Sequence, residues 1–86
     1  MERQKYIILF QTYTQGDQIL SNCSDITFIN TGLTPCQINN QFTLAAGQTL
    51  AITCQFNEID TTQYRITFPS GTIANNSVVV IKKSFV

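Results

Sequence analysis

Side chains along most of this chain alternate in character with a period of two, which directs it toward β structure. Over residues 49–56, Leu50, Ile52, Cys54 and Phe56 share one face, and Thr49, Ala51, Thr53 and Gln55 share the other. That is a strand with one side against a core and one toward solvent. Residues 63–68 repeat it, with Tyr64, Ile66 and Phe68 inward and Gln63, Arg65 and Thr67 outward. Residues 25–30 form a shorter run, with Ile26 and Phe28 facing one way and Ile29 the other. Residues 77–85 begin apolar on both faces (Val78, Val79, Val80, Ile81) and then alternate through Lys82, Lys83 and Phe85. Residues 5–14 also begin apolar on both faces, from Tyr6 to Phe10, and end polar at Gln11-Thr12-Tyr13-Thr14.

Turn residues punctuate these runs: Gly16-Asp17, Asn30-Thr31-Gly32, Pro35, Asn39-Asn40, Ala46-Gly47, Pro69-Ser70-Gly71 and Asn75-Asn76. Gly and Asn tolerate positive φ, which tight hairpins require. Asn39-Asn40 is expected to be a two-residue hairpin between Gln37-Ile38 and residues 41–44. Residues 13–22 are the least strand-like stretch and are expected to be a loop. No window has a helical period. About seven short antiparallel strands at near-regular spacing predict one all-β domain over residues 1–86, a small β-sandwich or partly open barrel. The two most apolar runs, at the two ends of the chain, are expected to pair at the centre of a sheet. The alternative is that one of them adds to a neighbour's sheet edge. Lys82-Lys83 suits a protected edge or a solvated strand end.

Composition narrows the function classes. Charged residues make up 12% of the chain and the formal net charge is +0. An ordinary soluble domain carries about 25% charge. The polar surface is instead uncharged: Thr, Gln, Asn and Ser account for 33 of 86 residues. Such a surface does not repel its own copies. It also lacks the cationic field that phosphate binding needs, so nucleic acid is not an expected partner. The apolar run from Tyr6 to Phe10 is too short for a signal-peptide core or a membrane helix, so no membrane partner and synthesis in a cytoplasm are expected.

The chain contains no histidine. Nucleophile activation by His is therefore impossible, and the commonest metal ligand is missing. Cys23, Cys36 and Cys54 have no CxxC spacing and do not form a zinc pattern. Their odd number favours free thiols, with a Cys23–Cys36 bridge as the alternative. Glu58 and Asp60 are the one close carboxylate pair. They are expected at a solvated loop tip, and a weak Ca²⁺ contact through Asn57, Glu58 and Asp60 lacks calcium-loop spacing. The glycines are isolated turn residues, so no phosphate loop is present. Asn22-Cys23-Ser24 and Asn75-Asn76-Ser77 match the glycosylation triplet and mark surface positions. Of the tyrosines, Tyr64 is expected in the core, and Tyr13 is the one open to stacking on a sugar. No enzyme activity and no cofactor are expected.

Ile26-Thr27-Phe28-Ile29-Asn30-Thr31-Gly32, then Cys36-Gln37-Ile38-Asn39-Asn40, then Leu44-Ala45-Ala46-Gly47-Gln48-Thr49-Leu50 form a recognisable series. Over residues 25–56 it resembles small β-sandwich virion structural proteins of tailed phages of Bacteroidetes-type bacteria. Asn40 stands where that pattern has Gly, and Ala46 where it has Pro. The resemblance implies a virion subunit, such as a capsid decoration, fibre-base or tail component. It would act through contacts with other virion proteins and with itself, and would bring no catalytic residues. Tyr6, Ile8, Phe10, Tyr13, Lys82, Lys83 and Phe85 are the candidate interface residues. Two alternatives are a module that binds glycans or a host surface, and a cytoplasmic adaptor or inhibitor that works by strand addition.

Overall fold

The computed structural model describes residues 5–55, 58–70, 72 and 74–85, and for Phe85 the backbone alone. The chain is all-β, with eight strands in two four-stranded antiparallel sheets. The strands are β1 (Tyr6–Tyr13), β2 (Asp17–Leu20), β3 (Asp25–Asn30), β4 (Cys36–Ile38), β5 (Phe42–Leu44), β6 (Thr49–Thr53), β7 (Gln63–Thr67) and β8 (Val78–Phe85). The first sheet has the order β1-β8-β3-β6 and the second the order β2-β7-β4-β5. The hairpin β4–β5 stays within one sheet, and every other connection crosses to the opposite sheet. This is the double-sheet arrangement of a jelly roll.

Alternation places the core where the sequence implies. Ile26 and Phe28 on β3, Val78 and Val80 on β8, Tyr64 and Ile66 on β7, and Ile38, Cys36 and Leu44 on the β4–β5 hairpin are all buried. Leu50, Ile52 and Phe68 pack against them, half-buried. Register carries the pattern from strand to strand. Phe28 lies between Val80 and Leu50, and Ile26 between Lys82 and Ile52. Phe56, at the end of the run over 49–56, lies outside the described residues, as do Gly71 and Asn57.

Three expectations need correction. The stretch over 13–22 is not all loop, because Asp17–Leu20 is a strand paired with β7. Only Ile19 of its four side chains is buried, so one apolar inward position could not register as alternation. The Asn39-Asn40 hairpin is longer than two residues. Both asparagines have the positive φ of a tight turn (55° and 57°), but Ile38 pairs with Phe42, so Gln41 joins the turn. The terminal strands do pair, from Tyr6 opposite Phe85 to Tyr13 opposite Val78, yet β1 is not central. It is an edge, and β8 is the inner strand of the two.

The turn at 45–48 has a specific glycine requirement. The Gln48 amide donates to the Ala45 carbonyl, and Gly47 sits at φ 83° with open space around its Cβ position. The left-handed backbone, not crowding, selects glycine there.

Asp60 is more than a loop tip. Its backbone exchanges two hydrogen bonds with Cys23, and its carbonyl accepts the Ser21 hydroxyl at 2.6 Å. Its carboxylate accepts the Tyr64 hydroxyl at 2.5 Å and the Thr62 amide at 2.8 Å. Asp60 thus clasps the segment after β2 to the start of β7. Burial works against its ionised form, but hydrogen bonds from Tyr64, Thr62 and Ser21 outweigh it and hold the pKa below the ordinary 3.8. A carboxylate with a lowered folded-state pKa adds stability above pH 3.8 that is lost as pH falls through the folded value. Tyr64 mirrors it at the alkaline end. Burial, and then donation to Asp60, push its pKa from 10.0 up to about 12. Its contribution is present below pH 10.0 and lost as pH rises toward 12. Asp60→Asn is expected to flatten the acid limb of a thermal-stability profile. An acid limb identical to wild type would contradict this role.

Candidate functional site

The feature that stands out is β1. An edge strand in a sandwich normally buries alternate side chains, but every residue from Tyr6 to Thr12 is exposed. Tyr6 is 53%, Ile7 46%, Ile8 40%, Leu9 47% and Phe10 68% exposed. Antiparallel partners share a face, so the register assigns the sides. Tyr13, Gln11, Leu9 and Ile7 lie level with Val78, Val80, Lys82 and Ser84 on the inward face. Tyr6, Ile8 and Phe10 lie with Lys83, Ile81 and Val79 on the outward face. The inward face is covered only at its Tyr13 end, which packs on the core. β2 ends at Leu20, and Leu9 and Ile7 stay exposed, without a strand of the second sheet over them among the described residues.

The two outward faces of the sandwich differ. On the second sheet, Gln18, Gln63, Arg65, Thr67, Gln37 and Thr43 make a mostly polar surface, with Leu20 as an exposed apolar side chain opposite Gln63. Two shallow depressions of about 310 and 270 Å³ flank Arg65 there, and both include Gln18. On the first sheet, Phe10 lies opposite Ile81, and Val79 lies opposite Ile29. The exposed apolar surface therefore concentrates on the β1–β8 side.

Of the candidate interface residues, Tyr6, Ile8 and Phe10 come together on one exposed face of β1. Tyr13 does not join them. It is half-buried on the opposite face, packed on the core, and so does not offer its ring to a sugar. Burial, and then Asp17, push its hydroxyl pKa up. Lys82 and Lys83 lie on the inner strand β8, so they do not guard an edge of their own. Lys82 points inward, where its Nζ donates to the Leu20 carbonyl at 3.2 Å across the open side of the sandwich. Lys83 points outward with its Nζ 4.7 Å from the Tyr6 ring centroid, a cation–π contact. The Phe85 side chain lies outside the described residues. Ile7 and Leu9, on the opposite face of the same strand, are exposed as well and were not among the candidate residues. A run that is apolar on both faces and is expected at the centre of a sheet gives no sign that either face is exposed.

The chemistry of the remaining groups is quiet. All three cysteines are thiols, with Cys23 and Cys36 buried and Cys54 partly so. Burial pushes each thiol pKa up, and for Cys54 the Asp60 and Glu58 carboxylates push further. Raised pKa values keep these groups away from the nucleophilic thiolate. Among the described residues, no three His, Cys, Asp or Glu side chains are grouped to hold a metal ion, and no helix is long and apolar enough to cross a membrane. The Glu58 carboxylate accepts the Gln55 amide at 2.8 Å.

Compared with family models, curated proteins and solved structures, the chain matches none.

Proposed function

We propose that this chain is a non-catalytic structural subunit of a virus particle, held among its neighbours by contacts on the β1–β8 side. The observation that carries this reading is the exposure of five consecutive apolar side chains on an edge strand. Contiguous exposed apolar surface of this kind is characteristic of protein contact sites. The near-neutral, amide- and hydroxyl-rich surface supports it, because neighbouring copies meet no charge repulsion. The jelly-roll arrangement is in keeping with it, since that fold recurs in viral shells as well as in lectins, although fold alone never assigns function. The subunit is made in the host cytoplasm and incorporated on assembly. Its partners are other virion proteins and further copies of itself. The test is quantitative mass spectrometry of density-purified particles from the source that carries the sequence. The chain is expected at many copies per particle, co-sedimenting with the shell. Its recovery only in the soluble fraction would overturn the reading.

A further inference from the structure

We infer that β1 pairs antiparallel with β1 of a second copy of this chain, about a twofold axis through Ile8. The inference rests on the reading that the β1–β8 side is a contact surface, and it names the partner. The two four-stranded sheets would become one of eight, in the order β6-β3-β8-β1 and then β1-β8-β3-β6 of the second copy.

The unguarded edge is the starting point. Proteins protect exposed edges with charges, proline or bulges. From Tyr6 to Tyr13, β1 has no charged residue, no proline and no glycine, and it pairs without a break along β8. Its other side has no strand partner among the described residues.

The partner must suit a strand that is apolar on both faces for five consecutive residues. The remaining edges do not. β6 carries Leu50 and Ile52 on one face only, with Thr49 and Thr53 on the other. β2 has four residues and begins with Asp17, and β5 has three. Only another β1 supplies the same pattern.

Symmetry then selects the register. Opposed residues in an antiparallel pair point to the same face, so a twofold axis between identical strands must pass through a residue, not between two. The apolar run is odd in length and centred on Ile8. An axis there sets Tyr6 against Phe10 of the second copy, Ile7 against Leu9, and Ile8 against itself. Aromatic meets aromatic and aliphatic meets aliphatic, the favoured cross-strand pairs. The two Lys83 side chains, each one strand away from the junction, would stand three strand spacings apart, roughly 14 Å. That exceeds the Debye length of about 8 Å at physiological salt, so their repulsion is screened. Edge pairing covers the flanks of these side chains and leaves the two sheet faces open, so the area removed from water falls below the roughly 1,000 Å² of stable specific interfaces. A dissociation constant in the micromolar range is expected, suited to subunits concentrated on a particle.

Sedimentation velocity over roughly 1–300 µM brackets that range. Wild type is expected to pass from monomer to dimer. Ile8→Lys and Ile8→Glu, each placing like charges face to face at the axis, are expected to weaken dimerisation at least about 100-fold. An equimolar mixture of the two is expected to restore the dimer, because position 8 then meets its opposite charge. Wild type that stays monomeric throughout, a variant that dimerises as well as wild type, or a mixture that stays monomeric would each overturn the inference. If the variants fail to fold, as judged by circular dichroism, amide exchange of wild type decides. Protection of residues 7–9 that grows with concentration supports the pairing, and protection that does not change with concentration refutes it. The particle experiment is independent. A monomer found on particles sinks the pairing and leaves the structural reading, whereas a dimer absent from particles does the reverse.

Discussion

Phe28→Ala is expected to remove a large share of the domain's stability. Phe28 is fully buried on β3 in the first sheet, and its ring meets Tyr64 of the second sheet edge-on, with centroids 5.3 Å apart and planes at 62°. It therefore joins the two sheets at the middle of the core, between Val80 and Leu50. Removing a buried phenylalanine side chain costs about 3–5 kcal/mol, as lost transfer energy plus the cavity left behind. Domains of this size hold only about 4–13 kcal/mol in total. The two sheets are each tied by their own ladders and cannot readily close on the gap, which places the cost near the upper end. Equilibrium urea unfolding followed by circular dichroism measures it, with Phe28→Leu as a milder comparison expected to keep a clear transition. A Phe28→Ala midpoint close to wild type would show that the sheets are not joined through this residue.

Asn30→Ala is expected to cost roughly 3 kcal/mol, more than its small change in volume implies. Asn30 is completely buried at the end of β3. Its side-chain Nδ2 donates to the Thr34 carbonyl at 2.8 Å and the Leu44 carbonyl at 2.9 Å, while its Oδ1 accepts the Gly32 amide at 3.0 Å. One amide group thus ties the end of β3 to the following loop and to β5. Alanine leaves the carbonyl of Leu44 without this donor in a buried setting, and the desolvation penalty of orphaned groups exceeds the net value of an ordinary hydrogen bond. Gly32, two residues on, belongs to the same knot. A Cβ there would meet the Asn75 carbonyl oxygen at 2.5 Å and the Ser77 nitrogen at 2.6 Å, both backbone atoms. Gly32→Ala is expected to be at least as harmful. Chemical denaturation of both variants checks this, and a loss under about 1 kcal/mol for Asn30→Ala would remove its assigned role.

This knot gives physical meaning to a segment that could be read only as a turn. Asn30-Thr31-Gly32 looks like hairpin chemistry. In the fold it works by tertiary contact. Thr31 and Gly32 both donate backbone amides to the Ser77 carbonyl, fastening the end of β3 to the approach to β8. Nothing in the local sequence says that residues 30–32 will meet residues 75–77. Asp60 is a similar case: a carboxylate amid Thr and Asn looks solvated, yet it accepts from Thr62 and Tyr64, and its backbone meets Ser21 and Cys23 only through the tertiary fold.

Where burial follows from alternation, the chain was legible. β3, β6, β7 and β8 lie where period-two runs place them, and Ile26, Phe28, Tyr64 and Ile66 face the core as read. β2 was not legible, because one buried side chain in four leaves no periodic trace. The apolar run from Tyr6 to Phe10 shows the limit most clearly. Apolar residues on both faces normally mark a central strand, covered above and below. Pairing with β8 was foreseeable from that pattern, but position in the sheet was not. The amino-acid sequence by itself determined an all-β chain of short antiparallel strands, most of its core, and the absence of histidine chemistry, because those depend on residue type and local period. Only the tertiary structure decided that β1 lies at an edge beyond the cover of the second sheet. Strand order is set by which long-range pairings bury the most surface together. It turned an apparent core strand into an exposed apolar edge.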